Sequence, residues 1–189
     1  MPTDALGNAL LVSARNAIAA HFGLPPDPVT PPPELAEPGA SFVTLTQNGR
    51  LRGCIGSLEA QRPLATDVAE NAFAAAFRDP RFPPLSQEEL ARTRVEVSLL
   101  TPAKPFPVSG EEDALARLQP GIDGLILSFG RQRATFLPQV WAQLPDADDF
   151  VAALLHKAGL GEGFWAEDLT LARYEVRCFD GVVGRGAMP

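Results

Sequence analysis

Apolar residues recur at a 3.6-residue period through Leu6, Leu10, Leu11, Ala14, Ala17 and Ile18, which predicts an amphipathic helix over 3–22, capped by Thr3 and stopped by Gly23. From Pro25 to Pro38 the chain reads PPDPVTPPPELAEP, and proline at that density predicts an extended strap, not helix or sheet interior. Two β-rich runs follow, Ser41 to Thr46 and Leu51 to Leu58, joined by Gln47-Asn48-Gly49-Arg50. Asn-Gly suits the type I′ turn, which needs positive φ at both central positions, so the pair predicts a hairpin. An unbroken register would set Leu45 opposite Arg52, Val43 opposite Cys54 and Phe42 opposite Ile55. Arg52, Cys54 and Gly56 then share a face with Val43 and Leu45. Neither face is wholly polar, which predicts a sheet covered on both sides.

The stripe Leu64, Val68, Ala72, Phe73, Ala76 and Phe77 predicts a helix over 63–79, ended by Pro80. Ser86 predicts a capped turn through Glu89 and Leu90, and Arg94 to Leu100 alternates as a strand with Glu96 and Ser98 on one face. Ser109 and Glu112 have capping-box spacing for a helix through Leu118. The second half predicts a hairpin over 125–137, a helix over 146–159 and a strand over 169–179. The order strand, turn, arginine-flanked strand, helix, strand thus occurs twice, over about 41–100 and about 121–180. The fold expected is α+β: mostly antiparallel sheet flanked by helices, in two unequal joined subdomains.

Composition narrows the function classes. With 46% hydrophobic and 21% charged residues in 189, the chain has the makeup of a globular protein. A net charge of −7 works against non-specific nucleic-acid binding. No apolar run reaches the ~20 residues a membrane span needs. The opening Met1-Pro2-Thr3-Asp4 does not resemble a signal peptide, so a cytoplasmic location with reduced thiols is expected. Cys54, Cys178, His21 and His156 are scattered without metal-ligand spacing, and no nucleotide-binding glycine motif occurs. Neither a metal nor a cofactor is expected.

The segment that stands out is Leu51-Arg-Gly-Cys-Ile-Gly56. Two glycines within one strand mark a bulge or a close approach to the backbone, which makes Gly53 and Gly56 candidate ligand contacts. Arg52 beside Cys54 would stabilise a thiolate, the nucleophilic form, and clamp an anion. Glu96 is the candidate proton acceptor, while Asn71 and Ser98 are candidate ligand contacts. Arg131 and Arg133 in the second half mirror Arg50 and Arg52, which makes Arg133 a candidate anion contact. The alternative is that Cys54 packs as a small hydrophobe and the hexapeptide is structural.

LRGCIG resembles the signature of the AMMECR domain family. Blocks that agree in order are Glu70-Asn71-Ala72, Asp79 to Leu85 (DPRFPPL), Glu89-Leu90, Glu96 to Leu100 (EVSLL), Gly121 to Leu125 (GIDGL), Thr135 to Trp141 (TFLPQVW) and Lys157 to Leu160 (KAGL). The resemblance covers the chain as a single 1–189 domain and implies an α+β fold of two unequal subdomains with a cleft between them. It implies kinship with protein A of the AmmeMemoRadiSam system, hence association with Memo-like and radical SAM proteins as partners. The family brings no settled reaction. Two readings therefore stand: a cytosolic enzyme or enzyme subunit acting on a small molecule or peptide, or a non-catalytic binding or adaptor domain.

Overall fold

The structure, a computed structural model, describes residues 5–161 and 163–184. In chain order it contains α1 (Ala5–His21), β1 (Pro38–Gln47), β2 (Arg50–Gly56), β3 (Arg62–Pro63), α2 (Leu64–Phe77), β4 (Thr93–Leu100), β5 (Lys104–Pro105), α3 (Glu111–Arg117), β6 (Gly124–Phe129), β7 (Gln132–Phe136), α4 (Ala147–Lys157), β8 (Thr170–Tyr174) and β9 (Val176–Val182). Thr3, the expected cap of α1, lies outside the described residues. Two compact units divide the chain: one takes 1–100 and returns for 177–189, and the other is 101–176.

In the first unit the sheet order is β2-β1-β4-β9, with β3 also pairing to β1. Strand β1 is antiparallel to β2 and β4. Its inward positions, Val43 and Leu45, join Val95 and Val97 of β4 under Leu10 and Ile18 of α1 and Val68 and Ala72 of α2, all fully buried in one core. Each such aliphatic side chain contributes about 1.5–3 kcal/mol on burial, so this helix-covered face holds the unit together. The proline-rich strap is tied to α1 by Asn16, whose Oδ1 accepts from the Asp27 N–H at 2.8 Å and whose Nδ2 donates to the Asp27 carbonyl at 3.0 Å.

The second unit has sheet order β5-β8-β6-β7. Its hairpin strand β6 lies between its partner β7 and the returning β8, just as β1 lies between β2 and β4. The repeated order of elements is therefore a repeated strand topology. Phe150, Val151, Leu154 and Leu155 of α4 are fully buried, and Trp141 stacks on Phe150 with ring centres 3.8 Å apart.

Four expectations differ from the structure. The turn itself forms as predicted, with φ of 50° at Asn48 and 74° at Gly49. Beyond Thr46↔Leu51, however, the register shifts by one, so Leu45 faces Gly53, Thr44 faces Cys54, Val43 faces Ile55 and Phe42 faces Gly56. Arg52 is the extra residue of a β-bulge, which turns each later side chain to the opposite face. Second, the strand expected over 169–179 is two strands: β8 completes the second unit and β9 returns to the first. No glycine or proline marks that break, because it is a change of partner. Third, Ser109 and Glu112 form no capping box. Helix α3 begins at Glu111 after Gly110, and it is Asp113 that accepts the Ser109 N–H, at 3.0 Å. Fourth, β1 begins at Pro38, inside the predicted strap, because Pro38 and Gly39 pair with β3.

The bulge presses Gly53 against α2: a Cβ there would lie 2.1 Å from the Ala75 carbonyl oxygen. A Cβ at Gly56 would instead meet the Phe42 ring at 2.2 Å, and a side chain can turn where a helix backbone cannot. Gly53→Ala should therefore destabilise the protein by about 3 kcal/mol and Gly56→Ala by about 1 kcal/mol. Urea denaturation midpoints of the two variants would measure the difference, and an equal loss would contradict this packing.

Candidate functional site

Strand β2 is the edge of its sheet, and edges leave N–H and C=O groups unpaired. Here the Asp79-Pro80-Arg81 segment, just beyond α2, supplies the missing partner. The buried Asp79 carboxylate accepts the Cys54 backbone N–H at 2.9 Å, and Arg81 Nη2 donates to the Cys54 carbonyl at 3.3 Å. The two side chains are themselves joined, Arg81 Nη2 to Asp79 Oδ2 at 2.7 Å and Arg81 Nε to Asp79 Oδ1 at 2.9 Å. Hydrogen bonding from Arg81, with help from the Cys54 N–H, holds the Asp79 carboxyl far below the ordinary carboxylate range against the opposing effect of burial. Arg81 is raised in turn, chiefly by its bond to Asp79.

Arg52 performs the neighbouring half of this task. Its Nε and Nη2 each reach a Glu89 carboxylate oxygen at 3.1 Å, and its Nη1 donates to the Pro83 carbonyl at 2.9 Å. Glu89 also accepts from the Ser86 N–H at 2.9 Å and from Gln47 Nε2 at 3.0 Å. Bonding to Arg52 is the largest cause that lowers the Glu89 carboxyl, to about 2. Arg52 is thus committed to the protein's own carboxylate and carbonyls, and the cation that touches Cys54 is Arg81. The bulge explains the difference from the sequence expectation, because it breaks the i, i+2 relation that would have set Arg52 beside the thiol.

The register sorts the remaining candidates. Thr44, between Cys54 of β2 and Glu96 of β4, pairs with both. Its hydroxyl donates to Cys54 Sγ at 3.3 Å. In the adjoining row Phe42 pairs with Gly56 and Ser98. Ser98 is buried, and its Oγ stands 3.5 Å from Glu96 Oε1 and 3.6 Å from Cys178 Sγ on β9. Cys54, Thr44, Glu96, Ser98 and Cys178 therefore occupy the sheet face turned away from α1 and α2. Neither cysteine is in a disulfide. They are three strand spacings apart in the sheet order, roughly 14 Å, too far for a disulfide.

Asn71 is not part of that face. It is buried on the helix side, where its Nδ2 donates to the Ser41 carbonyl at 3.0 Å and to Asp67 Oδ2 at 3.0 Å. Asp67, wholly buried, also accepts from the Ser41 N–H at 2.8 Å, the Ser41 hydroxyl at 2.6 Å and Arg62 Nε at 2.9 Å. The space left by Gly53 is filled by α2 and that left by Gly56 by Phe42, so both glycines serve internal packing. Arg133 is exposed on β7 of the second unit. The residues that sequence reasoning missed are Thr44, Asp79, Arg81, Glu89 and Cys178. Asp79-Pro80-Arg81 was visible as a helix terminator, but its service to β2 depends on contacts across 25 or more positions.

A family model for AMMECR1 matches residues 11–179. The chain belongs to the AMMECR1 family. A protein of Methanothermobacter thermautotrophicus is 38% identical over 181 residues, covering 92% of this chain and 93% of its own. One from Methanocaldococcus jannaschii is 41% identical over 138 residues, covering 72% and 69%. The crystal structure of an uncharacterized protein from Pyrococcus horikoshii superposes with a TM-score of 0.80 at 34% identity, covering 94% of this chain and 92% of that one. The α+β architecture is thus shared with a solved structure. Among the described residues, no helix is long and apolar enough to cross a membrane.

Because Glu89 titrates lower in the folded chain than its ordinary 4.5, the stabilisation it lends is complete above about pH 4.5 and is lost as pH falls toward 2. Glu89→Gln should lower stability by about 1–3 kcal/mol at neutral pH and flatten that part of the acid limb. Denaturation midpoints between pH 2 and 7 would show it; an unchanged acid limb would mean that the Arg52 pair is not coupled to folding.

Proposed function

We propose that this AMMECR1-family chain is a cytosolic thiol-dependent enzyme, or enzyme subunit, acting on a small molecule or peptide laid along the far face of the first unit's sheet. Cys54 is the nucleophile in this reading. The single observation that supports it best is the Thr44 hydroxyl donating to Cys54 Sγ at 3.3 Å. That donor orients the sulfur, and the backbone carrying it is gripped by Asp79 and Arg81 at both its N–H and its carbonyl. In the step this reading requires, the thiolate sulfur adds to a carbonyl carbon of the substrate and the π pair of that C=O bond moves onto its oxygen. The proton lost from the thiol passes to Glu96 by way of the Thr44 hydroxyl, which bonds the sulfur and belongs to the residue paired with both, and Ser98 helps to hold the ligand. Memo-like and radical SAM proteins are the proposed partners, on the strength of the family resemblance alone.

A non-catalytic binding role is the second reading, and one observation favours it. Arg52, Gly53 and Gly56 of the hexapeptide are all engaged by the protein's own atoms. The two readings differ in what they require of sulfur.

In Cys178→Ser protein, which leaves Cys54 as its lone thiol, iodoacetamide should react at least tenfold faster at pH 7 than with a model thiol. Thr44→Val should remove most of that advantage while leaving the circular dichroism spectrum intact. A rate no faster than the model thiol would exclude the nucleophile. In cells, metabolite and peptide profiles of a Cys54→Ser strain should match those of a deletion strain and differ from wild type; a wild-type profile would favour the binding role.

A further inference from the structure

One residue of β2 keeps its main-chain groups open at the sheet edge. The Ser57 N–H donates to the Ser41 carbonyl at 2.9 Å, so the odd-numbered residues of β1 bond toward β2. Bonding in an antiparallel pair alternates. Val43↔Ile55 is therefore bonded within the sheet, while Thr44↔Cys54 and Phe42↔Gly56 turn the β2 N–H and C=O groups outward. Cys54 fits this parity, because both of its groups reach past the edge, to Asp79 and Arg81. Gly56 points the same way, is only half-buried, and among the described residues has no group bonded to its N–H or carbonyl.

An open edge is a template for an added strand, and in that mode of recognition the main chain supplies the affinity. Three features limit what is added here. Asp79 and Arg81 fill the lane beside Cys54, about 7 Å from Gly56 at a strand's rise per residue. A chain bonded at Gly56 must leave the sheet plane before that point, and the helix side is closed by the Ala75 carbonyl against Gly53. It rises on the face that carries the thiol. At the other end Leu58 is 43% exposed, apolar surface for a side chain to cover. We propose that Gly56 anchors an extended peptide substrate. One peptide residue exchanges both main-chain hydrogen bonds with Gly56 in the antiparallel sense, an apolar residue two places toward its N-terminus lies against Leu58, and its C-terminal side crosses over Cys54. The inference rests on the reading of that face as the substrate site and narrows the substrate to a peptide.

The probe is acetyl-Leu-Thr-Val-Thr-Ala-amide, added to the full Cys54→Ser chain so that no chemistry at sulfur enters the measurement. Amide exchange followed by NMR should find Gly56 unprotected in the free chain beside a protected Ser57, and saturating peptide should slow it about tenfold. Methylating the nitrogen of the peptide's valine should weaken binding about tenfold, because the Gly56 carbonyl loses its donor. Methylating that of the first threonine, whose N–H points away from the edge, should change little. Leu58→Ser, at an exposed position, should weaken binding several-fold. The proposal is overturned if Gly56 is already protected in the free monomer, if saturating peptide leaves it unprotected, if both methylated peptides bind alike, or if Leu58→Ser binds as the parent does. Gly56 protection that grows with protein concentration alone, with dimer in sedimentation, would make the added strand a second copy of this chain and equally overturn it. Slow alkylation of Cys54 would strike the nucleophile and leave this pairing standing; the outcomes above strike the pairing and leave the nucleophile standing.

Discussion

The first unit depends on how its edge strand is closed. Among the described residues β2 has one strand neighbour, and it is bulged, so its backbone would otherwise face solvent unpaired and out of register. Two carboxylate–guanidinium pairs act in place of a second neighbour. Asp79 with Arg81 holds the Cys54 backbone, and Arg52 with Glu89 holds the chain from Pro83 onward against the bulge. One pair reaches into β2 and the other reaches out of it. Because each carboxylate is largely buried and also accepts backbone N–H groups, breaking either pair would strand a desolvated charge. The hexapeptide Leu51 to Gly56 is thus half of an interlock, and the other half is the DPRFPPL segment and Glu89.

That interlock fixes what the sheet presents on each side. On the helix side it seats Gly53 under the Ala75 carbonyl and leaves Ser41, Asp67, Asn71 and Arg62 as a closed polar network. On the other side the same strand alternation offers Cys54, Thr44, Glu96 and Ser98. Moving the register by one residue would exchange these sets and drive the thiol into α2. A bulge at Arg52 is therefore what makes Cys54 a surface-facing candidate and not a core residue. The second unit repeats the order of hairpin, helix and return strand around β6, with hydrophobic packing centred on Trp141 and Phe150. Its hairpin pairs without interruption from Leu125↔Phe136 to Phe129↔Gln132.

Much of this was legible in the residues. The Asn48-Gly49 turn, the apolar stripe of α2, the split of β4 into Val95 and Val97 inside against Glu96 and Ser98 outside, and the repeated order of elements all follow from periodicity and turn chemistry, which act over a few residues. The site was legible only in part. Alternation set Glu96 and Ser98 on one face of β4, yet without the bulge it put Cys54 on the face of Val43 and Leu45; Arg52 was assigned to the thiol when its partner is Glu89, and Asn71 was grouped with residues whose face it does not share. Thr44 carried no signal of its own, being one threonine in a strand until the register set its hydroxyl against sulfur.

By itself the sequence determined where helices and strands lie and which segments turn, because those depend on local backbone preference and on the spacing of apolar side chains. Only the tertiary structure decided three things: that β2 gains a residue at Arg52, that Asp79 and Arg81 close its edge, and that one β-rich run becomes β8 in one unit and β9 in the other. The physical reason is common to all three. Each is a choice of hydrogen-bonding partner, the bulge within one hairpin and the other two between segments 25 or more positions apart, and a backbone N–H or carbonyl carries the same chemistry whichever partner it meets.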